Sequence, residues 1–182
     1  GGRAGGRGVV VGFEGMGWMF SKVVAMTVTG VLTWFLVTAK ILPFTAATCI
    51  GVSVVCAVGC GVLYHFQGKN GIDCFPSGKV NLIYGEEILF FIFFLMWTYF
   101  AGFRPQAYGT EKFMDYGFME AMMRSTTLPA RDLWYSEGTI NYYYGGQYFA
   151  VFLTKLTGSK VELTYNMMRT FVAAFAVVLP FL

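Results

Sequence analysis

The chain has 182 residues, of which 56% are hydrophobic, 19% aromatic and only 13% charged, with a formal net charge of +3. A soluble domain carries about 25% charged residues, so an ordinary soluble domain is excluded, and so small and scattered a positive excess gives no case for nucleic acid. The charges sit between apolar runs of about 20 residues, the length that crosses a hydrocarbon core, and the chain reads as an all-α, polytopic transmembrane helix bundle in contact with membrane lipid.

The Gly/Arg head, residues 1–12, reads as disordered and lies outside the fold. With no initial methionine and a last residue inside an apolar run, the sequence reads as a fragment carrying one incomplete membrane domain over residues 13–182. A first span is expected at 23–42, opened by Lys22, with Lys40 snorkelling at its far end and Pro43 closing it. Its length exceeds the roughly 7–15 apolar residues of a signal peptide. A second span is expected at 44–66, antiparallel to the first, with Gly51, Ala57, Gly59 and Gly61 offering small faces to neighbours. Cys49, Cys56 and Cys60 fall within it and read as small packing residues. They have neither the spacing of a disulfide framework nor the partners of a metal site, and no metal ligand set is assigned.

A loop at 67–81 precedes a third span at 82–103, which contains two intramembrane acids, Glu86 and Glu87. Either these face the bundle interior, or the helix begins at Ile88 and leaves them among the headgroups. Lysines and arginines favour the N-terminal flank and the 67–81 loop over the first turn, which places the long loop at 104–160 outside the cytoplasm. A short apolar segment at 147–157 suits an interfacial or re-entrant helix. A fourth span is expected at 161–182, with Arg169 at its edge or facing inward.

The loop at 111–146 is the one long run too polar for lipid. Residues 112–125 have helical composition, with Thr110 as N-cap. At about 100° per residue, Met122, Met119 and Phe118 lie roughly 20°, 40° and 60° from Asp115, while Arg124 points the opposite way and can pair with Glu120. A carboxylate kept against apolar surface suits a general base; equally, such a helix lies on a membrane with its acid reaching for water. The run Asn141, Tyr142, Tyr143, Tyr144 has two readings as well: interfacial tyrosines, or a hydrogen-bonding wall for a sugar.

The stretches EEILFFIFFLMWTYFAGFRP, GTEKFMDYGFMEAMMRS, LPARDLW and GTINYYYGGQYFAVFLTKLTG, with FEGMGWMFSK and ILPFT upstream, resemble the YYY-motif membrane proteins of bacteria and archaea. The likeness runs over residues 13–182 and corresponds to the N-terminal part of such proteins. Ala130 stands where that pattern has a second proline, and Gly146 where an aromatic–glycine pair is usual. The family in turn is similar to the C-type (GT-C) glycosyltransferases, multi-pass enzymes of the cytoplasmic membrane that use polyprenyl-phosphate sugar donors. The resemblance implies transfer of a sugar to an extracytoplasmic acceptor, with Asp115 as catalytic base. It implies Lys112, Arg124, Asn141, Tyr142, Tyr143 and Tyr144 as substrate contacts, and Lys112 or Arg104 as partner of the donor phosphate. A divalent metal cofactor is left open, as are the sugar and any protein partner. The competing expectation is a non-catalytic multi-pass protein, transporter-like or assisting envelope assembly, in which Glu86 and Glu87 matter more than Asp115.

Overall fold

The structure, a computed structural model, describes residues 17–68, 80–109 and 111–181. The Gly/Arg head, Thr110, Cys74 and most of the 67–81 loop lie outside the described residues. Among the described residues six α-helices follow in order: α1 (Gly17–Thr38), α2 (Ala46–Gly68), α3 (Val80–Gly102), α4 (Lys112–Arg124), α5 (Gly145–Thr157) and α6 (Val161–Val178). A 3-10 turn, Leu179–Phe181, follows α6. Three helices are long and apolar enough to cross a membrane: Trp18–Thr38, Ala46–Phe66 and Val80–Gly102. The fold is the all-α membrane bundle that the composition demands.

Helix α1 begins at Gly17, more than a turn before Lys22, which had looked like its boundary. Trp18 and Lys22 are satisfied sideways, by α3. Trp18 Nε1 donates to Glu87 Oε1 at 2.5 Å, and the Lys22 ammonium pairs with the same oxygen. Helix α3 likewise begins at Val80 rather than Ile88, so both glutamates lie inside it. Glu86 is 3% exposed, and among the described residues neither of its carboxylate oxygens meets a hydrogen-bond partner.

Helix α1 ends at Thr38, five residues before Pro43, and Lys40 lies beyond it in a turn at φ 60. The amides of Ile41 and Leu42 both return to the Leu36 carbonyl, which folds the chain into the α1–α2 hairpin. Phe44 is fully buried at this turn and donates its N–H to the Thr126 carbonyl at 2.7 Å. Among the described residues, a Cβ at Gly51, Gly59 or Gly61 of α2 would meet nothing within 4 Å. Among the described residues, α2 is buried only in its first turns, at Cys49 and Val52, while Cys60 is exposed.

Helices α3 and α6 form the broadest helix pair and run antiparallel. Thr98 Oγ1 donates to Thr170 Oγ1 at 3.2 Å near one end, and Phe90 meets Phe175 at 4.7 Å between ring centroids near the other. Lipid tails are as apolar as these side chains, so such shape fitting and hydrogen bonding must hold the helices together. Glu162, Asn166 and Arg169 interrupt the first half of α6, which is not among the three helices apolar enough to span.

A second core lies where α1 ends, α2 begins and α3 ends. Here α4 and α5 pack on each other and on Val37, Phe44 and Tyr165. The N-cap position of α4 is Glu111, whose side chain makes no cap hydrogen bond. Helix α5 starts at Gly145, two residues before the expected segment, and lies against α1. Tyr148 Oη donates to the Gly30 carbonyl at 2.8 Å, in a buried contact. The Phe149 ring covers Gly30 so closely that a Cβ there would fall 2.3 Å from Cε1. Overpacking of this kind costs about 1–3 kcal/mol. Gly30→Ala is therefore expected to lower the thermal midpoint of the detergent-solubilised protein, and Gly59→Ala, which adds its methyl to open space, to leave it unchanged; equal losses at both positions would refute this packing.

Candidate functional site

The apolar stripe expected around Asp115 forms: Phe118, Met119 and Met122 are buried in the core shared with α5 and α6, and the Phe118 ring meets Trp134 and Tyr142. Asp115, one turn earlier, is left half-buried at the edge of that contact. Its Oδ1 accepts a 2.6 Å hydrogen bond from Gln147 Nε2, in the first turn of α5. Three helices thus meet around one carboxylate. Between them lies a cleft of about 400 Å³ lined by Asp115, Met119, Gly146, Gln147, Tyr165 and Arg169.

Arg169 supplies the cation of this cleft. Its Nη2 donates to Asn166 Oδ1 at 2.5 Å, and its guanidinium lies 5.2 Å from the Tyr165 ring centroid. Asn166 in turn donates to the Pro105 carbonyl at 3.0 Å, which ties the polar start of α6 to the chain leaving α3. On the α4 side, Tyr116 donates to Glu120 at 3.1 Å and meets Tyr165 edge-on. Burial first, and then the hydrogen bond to Glu120, push the Tyr116 phenol up to about 12. It is a donor at any physiological pH.

The cleft continues into apolar space. A groove of about 350 Å³ runs on between α1, α5 and α6, past Met26, Phe149, Phe171 and Phe175. It shares Gly146, Met168 and Val172 with the cleft above it. A further apolar pocket of about 300 Å³ also adjoins Met168 and Phe171. The combination is a polar mouth, with one acid and one guanidinium, over an apolar slot.

The other residues expected at the site are spread around it. Arg124 points away from Asp115 and pairs with Glu120 at 3.4 Å. Lys112 opens α4, half-buried, without a hydrogen bond or ion pair among the described residues, and Arg104 is exposed beyond α3. Tyr142 and Tyr143 are exposed, with rings 3.9 Å apart and hydroxyls joined at 2.8 Å. That hydrogen bond is the largest of the effects that push the Tyr143 phenol up to about 12; the charges of Glu111 and Asp115 add to it. Tyr144 turns the other way, accepting from Trp34 Nε1 at 3.2 Å. Asn141 is exposed. Of the expected set, only Asp115 lines the cleft.

Five residues that the sequence reasoning did not assign to the site complete the arrangement. Gln147 is 32 positions from Asp115, and no local spacing ties the two. Tyr165, Met168, Arg169 and Val172 follow the three-and-four spacing of one helix face, a signal present in the sequence once α6 is known to face α4. Among the described residues, no group of three or more His, Cys, Asp or Glu side chains could hold a metal ion.

A family model described as an uncharacterized membrane protein (DUF2298) matches residues 28–182. No curated protein and no solved structure matches the chain. With three helices of membrane-crossing length and a family match running from the middle of α1 to the end of the sequence, the chain belongs to the DUF2298 family of membrane proteins.

Proposed function

We propose that this is a membrane glycosyltransferase which takes a sugar from a polyprenyl-phosphate donor and passes it to an extracytoplasmic acceptor. The likeness to YYY-motif proteins and to the C-type glycosyltransferases gives the reaction class, and fold likeness alone does not establish chemistry. The observation that carries the reading is the position of Asp115: it is held by Gln147 at the mouth of a cleft that also contains Arg169 and opens below into an apolar slot. An acid, a cation and a lipid-sized groove in that order match a donor made of sugar, phosphate and isoprenoid tail.

In this reading the tail lies along Phe171 and Phe175, and the phosphate meets the Arg169 guanidinium, a strong partner for phosphoryl oxygens. Asp115 accepts the proton of an acceptor hydroxyl as that oxygen bonds to the anomeric carbon. The bond from that carbon to the phosphate oxygen breaks, and polyprenyl phosphate leaves with the electron pair. Attack from the face opposite the leaving group inverts the anomeric centre. Gln147 fixes the carboxylate orientation, and Arg169 steadies the charge that grows on the leaving phosphate. No step is assigned to a metal.

A second reading, a non-catalytic multi-pass protein, draws on Glu86, whose buried carboxylate oxygens have no hydrogen-bond partner among the described residues. Mass spectrometry of lipid-linked sugars in cells lacking the gene separates the two. Under the first reading a polyprenyl-phosphate sugar accumulates and a glycan loses that sugar. Unchanged lipid-linked sugars and glycans would favour the second.

A further inference from the structure

A second cleft, of about 510 Å³, lies on the other side of α4 from Asp115. It is lined by Arg124, Ser125, Thr126, Thr127, Arg131 and Asp132, and shares no residue with the cleft of Asp115 and Arg169. Its volume falls within the roughly 300–1,000 Å³ of small-molecule sites. Unlike the slot beside α6, its wall, completed by Ala121 and Leu133, carries guanidinium and hydroxyl groups.

The frame around it is stiff. Arg124 occupies the last turn of α4, and Ser125 Oγ donates to the Thr127 carbonyl at 2.6 Å while accepting the Thr127 N–H. Thr126 is tied through its carbonyl to the Phe44 amide. Arg131 is bridged to Thr139 as a short antiparallel pair, anchored by Leu128, Ala130 and Ile140, all at most 5% exposed. The two arginine stems therefore leave a fixed backbone on either side of one hollow.

The charges inside it are unevenly satisfied. Asp132 is the one acid in the lining, and its Oδ1 already accepts the amides of Trp134 and Tyr135 at 2.8 and 3.0 Å. Glu120 holds Arg124 by a single 3.4 Å contact, and its other oxygen accepts from Tyr116. The Arg131 guanidinium has no ion pair or hydrogen bond among the described residues. Each guanidinium presents five N–H donors in a planar fork that fits a carboxylate or phosphoryl group. The hollow thus combines two under-used forks with three hydroxyl side chains.

We infer that this cleft binds an oxyanion carried on a hydroxyl-rich group, a phosphoryl or carboxylate on a sugar or a glycerol unit. The arginines take the charge, and Thr126 and Thr127 hydrogen-bond the neighbouring hydroxyls. Such a group belongs either to a soluble anionic glycan or to an anionic lipid headgroup, since the Phe44 turn that supports Thr126 joins two membrane-spanning helices. The site stands apart from the chemistry assigned to Asp115.

The test uses the full-length protein in nanodiscs. In one arm, glucose 1-phosphate is titrated into zwitterionic discs and binding is read by calorimetry; in the other, phosphatidylglycerol replaces part of the zwitterionic lipid and retained lipid is quantified by native mass spectrometry. Binding in either arm is expected to weaken roughly tenfold or more with Arg131→Ala and with Arg124→Ala, and less with Arg131→Lys. Lys160→Met, at an exposed position outside both clefts, is expected to leave it unchanged. Arginine-dependent binding in the first arm identifies a soluble glycan, and in the second arm alone a lipid headgroup. Binding that is absent from both arms, or that survives both alanine variants, overturns the inference.

Discussion

Asp115→Asn in the full-length protein is expected to reduce sugar transfer from a polyprenyl-phosphate donor by about 10²–10⁴-fold, the range a positioned general base contributes. The asparagine keeps the shape and can still accept from Gln147, so insertion and thermal stability are expected to stay close to wild type. What it removes is the negative charge and the second carboxylate oxygen, the one left to take a proton at the mouth of the cleft. Arg169→Met acts on the same step from the other side: it strips the charge facing the leaving phosphate but leaves the Tyr165 packing surface occupied. A transfer assay in nanodiscs, scored beside a melting curve for each variant, separates lost chemistry from lost fold. Wild-type transfer rates with Asp115→Asn would remove Asp115 from the mechanism.

The largest expected loss of stability is at Lys155. This residue sits in the last turn of α5, half-buried, and its ammonium donates to two backbone carbonyls, Phe44 and Met123, at 3.0 Å each. It also lies 4.6 Å from the Phe44 ring centroid. Burial pushes its proton affinity below the ordinary lysine range. One side chain therefore ties the α1–α2 turn, the end of α4 and the end of α5 together. Lys155→Met keeps the stem but orphans both carbonyls, at about 1–3 kcal/mol for each group left unsatisfied. A marked fall in thermal midpoint is expected, against no change for Lys160→Met, which alters an exposed position. Equal midpoints for the two variants would show that the three elements are held by something else.

The bundle was legible because lipid imposes length and composition on whatever crosses it. The apolar runs give α1, α2 and α3 to within a few residues, except at the start of α1. There Lys22 looks like a boundary, but it and Trp18 are paired to Glu87, 65 or more positions away. The apolar surroundings of Asp115 were legible for a similar reason, since Phe118, Met119 and Met122 lie within two turns of it. Its hydrogen-bond partner was not. Gln147 reaches Asp115 only because Tyr148 and Phe149 seat α5 against Gly30 of α1, a contact between residues more than a hundred positions apart.

The tyrosine run shows the limit from the other direction. Three adjacent aromatics announce an interface or a wall, but the sequence does not say which way each turns. The backbone change at Tyr144, where α5 begins, sends its hydroxyl to Trp34 and leaves Tyr142 and Tyr143 stacked at the surface. Arg124 followed its helical angle faithfully, and that angle takes it out of the cleft with Asp115 and into the one with Arg131.

The central claim is that a lipid-linked phosphate sits with its head at Asp115 and Arg169 and its tail along α6. Photocrosslinking with a polyprenyl-phosphate analogue that carries a diazirine near the phosphate, followed by peptide mapping, tests it most directly. The account predicts labelling at Gly146, Met168 or Val172, competed away by unlabelled donor. Labelling confined to the outward face of α2, at Val55 or Leu63, and insensitive to competitor would contradict it.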